Sequence, residues 1–141
     1  MPNTLDTLPM SEGESHHWLR PTSKSPHLAR QLLRELLARV EGGERFADIG
    51  QLVLSELVTN AVLHARVPGR LIWTSFAVNA DRLRLEVHDA SSDRRPVLAT
   101  ATEEDESGRG LFLVKALSRR WGCCPRGGGV GKALWVEIGP Q

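Results

Sequence analysis

Apolar residues along the chain change period several times, and each change marks an element. Leu28, Leu32, Leu36 and Val40 recur every fourth residue, with Leu33 and Leu37 beside them, which predicts an amphipathic helix. Ser25-Pro26 supplies its start, serine as cap and proline at the first helical position, and Gly42-Gly43 supplies its end. Over residues 44–65, Ile49, Val53, Leu57 and Ala61, with Leu54, Val58 and Val62, define a second helix with a broad buried face, stopped by Pro68-Gly69. Residues 71–78 and 83–87 then alternate apolar with polar across Asn79-Ala80-Asp81, the signature of a β-hairpin. A polar stretch from Asp89 to Gly110 contains Pro96 and the acidic run 103–106; loops of such length often serve as lids or binding segments. A short helix over 111–119 follows. Residues 121–124, a glycine-rich turn at 127–129 and the strand 133–138 form a second hairpin.

A short strand over 16–20 precedes the first helix. Residues 1–14 are polar, carry Pro2 and Pro9 and show no apolar period, which predicts a disordered tail before a domain over 15–141. The order β-α-α-β-β-loop-α-β-β implies an α+β fold. We expect a two-layer α/β sandwich whose mixed, mostly antiparallel sheet carries its helices on one face.

Composition narrows the function classes. A chain of 141 residues with 40% hydrophobic and 25% charged residues is one ordinary globular domain. Eighteen Lys+Arg against seventeen Asp+Glu give a net charge of +1, too balanced for a general nucleic-acid binder, so no direct nucleic-acid partner is expected. No apolar run approaches the roughly 18 residues that span a bilayer, so no membrane partner is expected either. The start lacks the basic and apolar blocks of a secretory signal. Cys123 and Cys124 are adjacent and cannot make a disulfide framework. A cytoplasmic location is the default expectation.

Candidate chemistry begins with Glu56, Asn60 and His64. Four residues turn a helix by about 400°, so these polar groups form one column beside the apolar stripe. Asparagine is a poor helix-interior residue because its amide competes for backbone hydrogen bonds. Its oxygen suits a hard cation such as Mg²⁺, and a carboxylate one turn away can orient or deprotonate a hydroxyl. A solvated polar edge on an amphipathic helix accounts for the same spacing.

In GRGLFLV, residues 108–114, two glycines run into a helix whose first N–H groups can face a phosphate. Leu113 stands where the dinucleotide pattern needs its third glycine, and a loop rather than a strand precedes it, which argues against a Rossmann site. GGGVGKALW, residues 127–135, fails as a P-loop. Arg126 replaces the first glycine, Ala133 the Ser/Thr, and a strand follows instead of a helix. Asp89 ends the strand LRLEVHD, where its carboxylate can accept from a purine amino group or serve as a turn residue. His16-His17 and Cys123-Cys124 lack zinc-knuckle spacing, and neighbours in a strand point to opposite faces. Trp18, Trp73, Trp121 and Trp135 fall in strands, as core or interface residues.

Taken in order, Glu-x-x-x-Asn on a long helix, Asp after a strand, a loop, Gly-x-Gly opening a helix and a glycine turn before a final strand resemble the GHKL ATPases of the Bergerat fold. The likeness covers residues from about 16 to 138. ELVTNAVLHA, GRGLFLV and GKALWVEI are similar to stand-alone bacterial anti-sigma factor serine kinases. The resemblance implies a histidine-kinase-like ATPase domain that binds ATP and Mg²⁺. It gives Glu56 the role of general base or water-orienting group, Asn60 that of Mg²⁺ ligand and Asp89 that of reader of the adenine amino group. Gly108, Arg109, Gly110 and Leu111 would cradle phosphates under a lid over 91–107. His64 and Lys132 fall at further nucleotide-contacting positions. Two boxes depart from the family pattern: Asp89-Ala90-Ser91-Ser92-Asp93 replaces Asp-x-Gly-x-Gly, and Lys132 follows Gly131 where a threonine is common.

The resemblance implies a regulatory kinase that holds a sigma factor and phosphorylates Ser or Thr on an anti-sigma factor antagonist, with a homodimer through the first strand near Trp18. A non-catalytic partner-binding module of the same fold, with nucleotide structural or absent, is the alternative that the altered box motivates. A small α+β ligand-binding or structural domain with coincidental motifs is the third.

Overall fold

The computed structural model describes residues 12–64, 70–89, 106–125 and 131–141, with backbone alone for 64, 106–111, 124 and 125. Strand β1 (Gly13–Leu19) leads to helix α1 (Ser25–Ala38), a 3-10 turn (Gly43–Phe46) and helix α2 (Ala47–His64). Strands β2 (Ile72–Val78) and β3 (Leu83–Asp89), helix α3 (Glu106–Leu117), and strands β4 (Arg120–Pro125) and β5 (Lys132–Ile138) complete the order. The sheet runs β1-β2-β3-β5-β4, and every pairing among these strands is antiparallel. The α+β, mostly antiparallel architecture expected from the pattern is the one observed.

Both hairpins form. At the β2–β3 turn Asn79 Oδ1 accepts from the backbone N–H groups of Asp81 (2.8 Å) and Arg82 (3.0 Å). An asparagine side chain mimics a backbone turn in this way. Residues 127–129, named above as the second turn, lie outside the described residues. So do residues 1–11 and most of the 91–107 segment, while Gly13 and Glu14, assigned above to the tail, belong to β1. The Glu12 N–H already bonds the Val78 carbonyl.

The core lies between the sheet and the helix layer. Leu33, Leu36 and Leu37 of α1 meet Val53, Leu54, Leu57, Val58, Ala61 and Val62 of α2 over Phe76, Leu85, Val87, Val136 and Ile138. The α1 stripe is rotated from its expected position: Ala29 is fully buried and Leu28 is exposed, because α1 packs on α2 as well as on the sheet. Ser25 is also not the cap. It is the first helical residue, Lys24 stands at the cap, and the buried Ser25 hydroxyl donates to the Arg20 carbonyl. The glycine pair ends α1 as expected, with Gly42 at φ +77°, a conformation that disfavours any side chain. Residues 43–63, with a mean hydropathy of 1.3, are long and apolar enough to cross a membrane by length and composition alone, though without an unbroken apolar run and with 50% of that stretch buried within the fold. Interspersed polar residues hide this in a strict run count, and the core uses the apolar face.

Helix directions follow from a few contacts. α1 begins beside the end of β1 and finishes near Gly13, where Leu36 and Val40 would meet any added Cβ. Arg30 bonds Ser55 and Arg34 bonds Gln51, both at 2.7 Å, so α2 returns antiparallel to α1. The Arg119 N–H bonds the Glu137 carbonyl, which places the end of α3 at the Leu83–Ile138 end of the sheet. The C-terminus of α2, the N-terminus of α3 and the Asp89 end of β3 therefore share one end of the two layers.

Candidate functional site

This shared end gathers most of the residues singled out in the sequence. Asn60 lies one turn before the end of α2 and is only 6% exposed, the interior polar position that its spacing implied. Glu56, one turn earlier, is half-buried. His64 is the last helical residue, and its side chain lies outside the described residues.

Asp89 closes β3 and is 3% exposed. Opposite it stands Lys132, first residue of β5, whose Nζ lies 3.0 Å from Asp89 Oδ2. Gly131, at φ +100°, turns the chain into β5 just before the lysine. Both side chains project from the helix-side face of the sheet, in register with Val87 and Leu134. Periodicity could not reveal this pair, because it depends on the β3–β5 register. The available signal was a lysine heading a strand whose next four residues are apolar.

The Gly-x-Gly segment requires a correction. α3 does not begin at Leu111 but at Glu106, so Gly108, Arg109, Gly110 and Leu111 lie in its first two turns. The glycines read as helix breakers, yet each costs only about 1 kcal/mol in a helix. The first four N–H groups of a helix lack internal partners. Within α3 these include Glu106, Ser107 and Gly108, whereas Arg109 holds the first internally bonded position, so the donors expected to face phosphate shift towards the amino end.

Fit to a nucleotide can be judged from these groups. A buried carboxylate suits a base amino group, a buried amide oxygen suits a hard cation, and unpaired helix N–H groups suit an anion. All three lie at the same end of the molecule. A separate cleft of about 550 Å³, lined by residues including Arg39, Gly42, Arg45 and Ala80, opens at the opposite end.

A family model, the histidine kinase-like ATPase domain, matches residues 19–137. The chain belongs to this family. A search of curated proteins finds no match. The matched residues span α1, α2, α3 and strands β2 to β5 up to Glu137, and take in only Leu19 of β1. The match does not account for the opposite sheet face, where Arg84, Glu86, His88 and Glu137 are buried. Strand alternation places these polar residues on one face without fixing their burial. The ATPase domain links these charges side by side across β3 and β5.

Proposed function

We propose that this ATP-binding domain is an anti-sigma factor with serine/threonine kinase activity towards an anti-sigma factor antagonist. The observation that carries the reading is the convergence of Asn60, Asp89 and the start of α3 at one end of the layers. Asn60 would hold Mg²⁺, which would neutralise phosphate charge as the phosphoryl group moves. Asp89 accepts from the base amino group, the first N–H groups of α3 hold phosphate oxygens, and Glu56 orients the attacking hydroxyl and takes its proton. His64, Gly110 and Leu111 complete the nucleotide's surroundings. Positioning and charge stabilisation are most of what phosphoryl transfer asks of a protein.

The protein partners of this reading are a sigma factor and its antagonist, with no direct nucleic-acid contact, in the cytoplasm. Trp18, 59% exposed on the edge strand β1, suits the surface of a homodimer. Titration calorimetry with ATP, with and without Mg²⁺, tests the site. Asn60→Ala should lose the Mg²⁺-dependent part of binding. Glu56→Ala should keep binding and lose transfer to the antagonist; undiminished transfer removes Glu56 from the mechanism.

A second reading, a partner-binding module that takes no nucleotide, is favoured by the Asp89–Lys132 pair, which gives the base-reading carboxylate a partner within the fold. Absence of binding with and without Mg²⁺ would select it.

A further inference from the structure

We infer that Lys132 is a base-reading residue that opens this site to 6-oxopurine nucleotides as well as adenine nucleotides, an inference that rests on the nucleotide-binding reading above. An ionised carboxylate only accepts hydrogen bonds, whereas an ammonium only donates them, with three N–H groups. A carboxylate alone welcomes the 6-amino group of adenine and repels the 6-carbonyl of guanine or hypoxanthine, since two acceptors then face each other. The 3.0 Å approach of Lys132 Nζ to Asp89 Oδ2 places a donor beside that acceptor.

The two purine classes present complementary edges. Adenine offers the N6 donor beside the N1 acceptor. A 6-oxopurine offers the O6 acceptor beside the N1–H donor. An Asp–Lys pair matches either edge, with the two residues exchanging which base atom they meet. Both side chains are buried, Lys132 being 5% exposed, so a mispaired base edge would leave polar groups dry and unpaired, which is costly. The lysine is held by the strand register: Lys132 is the cross-strand neighbour of Asp89, and Ala133 follows it against His88 on the other face.

The test is calorimetry on the full chain with the Mg²⁺ complexes of ATP, GTP and ITP, where ITP separates the 6-oxo group from the 2-amino group. The wild-type dissociation constants for GTP and ITP should lie within about tenfold of that for ATP. Lys132→Thr should weaken all three through the lost donor, and GTP and ITP by about tenfold or more beyond ATP, because the carboxylate left alone still accepts from the adenine amino group but repels O6, while Lys132→Arg keeps both classes. A lysine that serves only as counter-ion would change all three affinities together and leave their ratio alone, which overturns the inference. The wild-type ratio needs no variant, so it decides the matter even if Lys132→Thr fails to fold. Wild type that binds ATP but rejects GTP and ITP by more than about a hundredfold overturns the inference and leaves the nucleotide site standing. Wild type that binds none of the three overturns both readings. Lys132→Thr that gains ATP binding over wild type makes the lysine a plug, which also overturns the inference.

Discussion

The guanidinium carbon of Arg84 lies 4.6 Å from the ring centre of Trp135, on the sheet face away from the helices. Its Nε donates to Glu86 (2.8 Å) and its Nη1 to Glu137 (3.1 Å), and Glu86 also meets His88 Nε2 at 3.0 Å. Glu86 thus serves two buried neighbours. Glu86→Ala should cost about 2–3 kcal/mol, because it leaves Arg84 Nε and His88 Nε2 without their buried hydrogen-bond partner while Arg84 keeps Glu137. Arg120→Ala, which removes an exposed arm 3.6 Å from Glu137, should cost about 1 kcal/mol or less. Urea unfolding of both variants checks the contrast, and equal losses would dismiss the network.

The Asp89–Lys132 pair has the same logic at the site. Lys132→Met should destabilise by about 3–5 kcal/mol, while Asp89→Asn with Lys132→Met should recover most of that loss. A double-mutant cycle in urea isolates the coupling. Coupling near zero would mean that the two charges are solvated in solution.

Gly43 begins the 3-10 turn between α1 and α2 because no side chain fits there. A Cβ would sit 2.1 Å from the Leu37 carbonyl oxygen and 2.9 Å from its carbon. Backbone cannot swing aside, so Gly43→Ala should cost about 3 kcal/mol. Gly139→Ala meets only the flexible Arg119 guanidinium and should cost about 0.5 kcal/mol or less. Thermal melts of the two variants give the comparison.

His17 lies on the helix-side face of β1, its ring 5.6 Å from Phe76. Burial, then the neighbouring His16, holds its pKa below the usual value of 6.5; Arg39 adds to this and Glu35 opposes it. As pH falls below 6.5 the unfolded chain takes up a proton that the folded chain resists. The stability due to His17 is therefore complete above that value and lost as pH falls beneath it. Replacing His17 with leucine should flatten the fall in unfolding midpoint between about pH 7 and pH 5. An unchanged slope would clear His17 of any part in it.

What the chain determined by itself is everything written in a short period. The i+4 stripe from Val53 to Ala61, the alternation through β2 and β3, and the Asn79 turn are local patterns, and local sterics with amphipathicity are enough to read them. The column Glu56–Asn60–His64 was legible for the same reason. The start of α3 was not. Helix breakers at Gly108 and Gly110 are outweighed once α3 packs antiparallel to α2, and packing energy exceeds propensity. Nor could local pattern distinguish Arg84, Glu86 and His88 as buried rather than solvated positions. Tertiary structure alone decided that Lys132 meets Asp89, because the residues are 43 positions apart and only the β3–β5 register sets them opposite. It likewise decided that α2, α3 and β3 present their polar ends together. Such convergence depends on helix direction and strand order, which long-range packing selects.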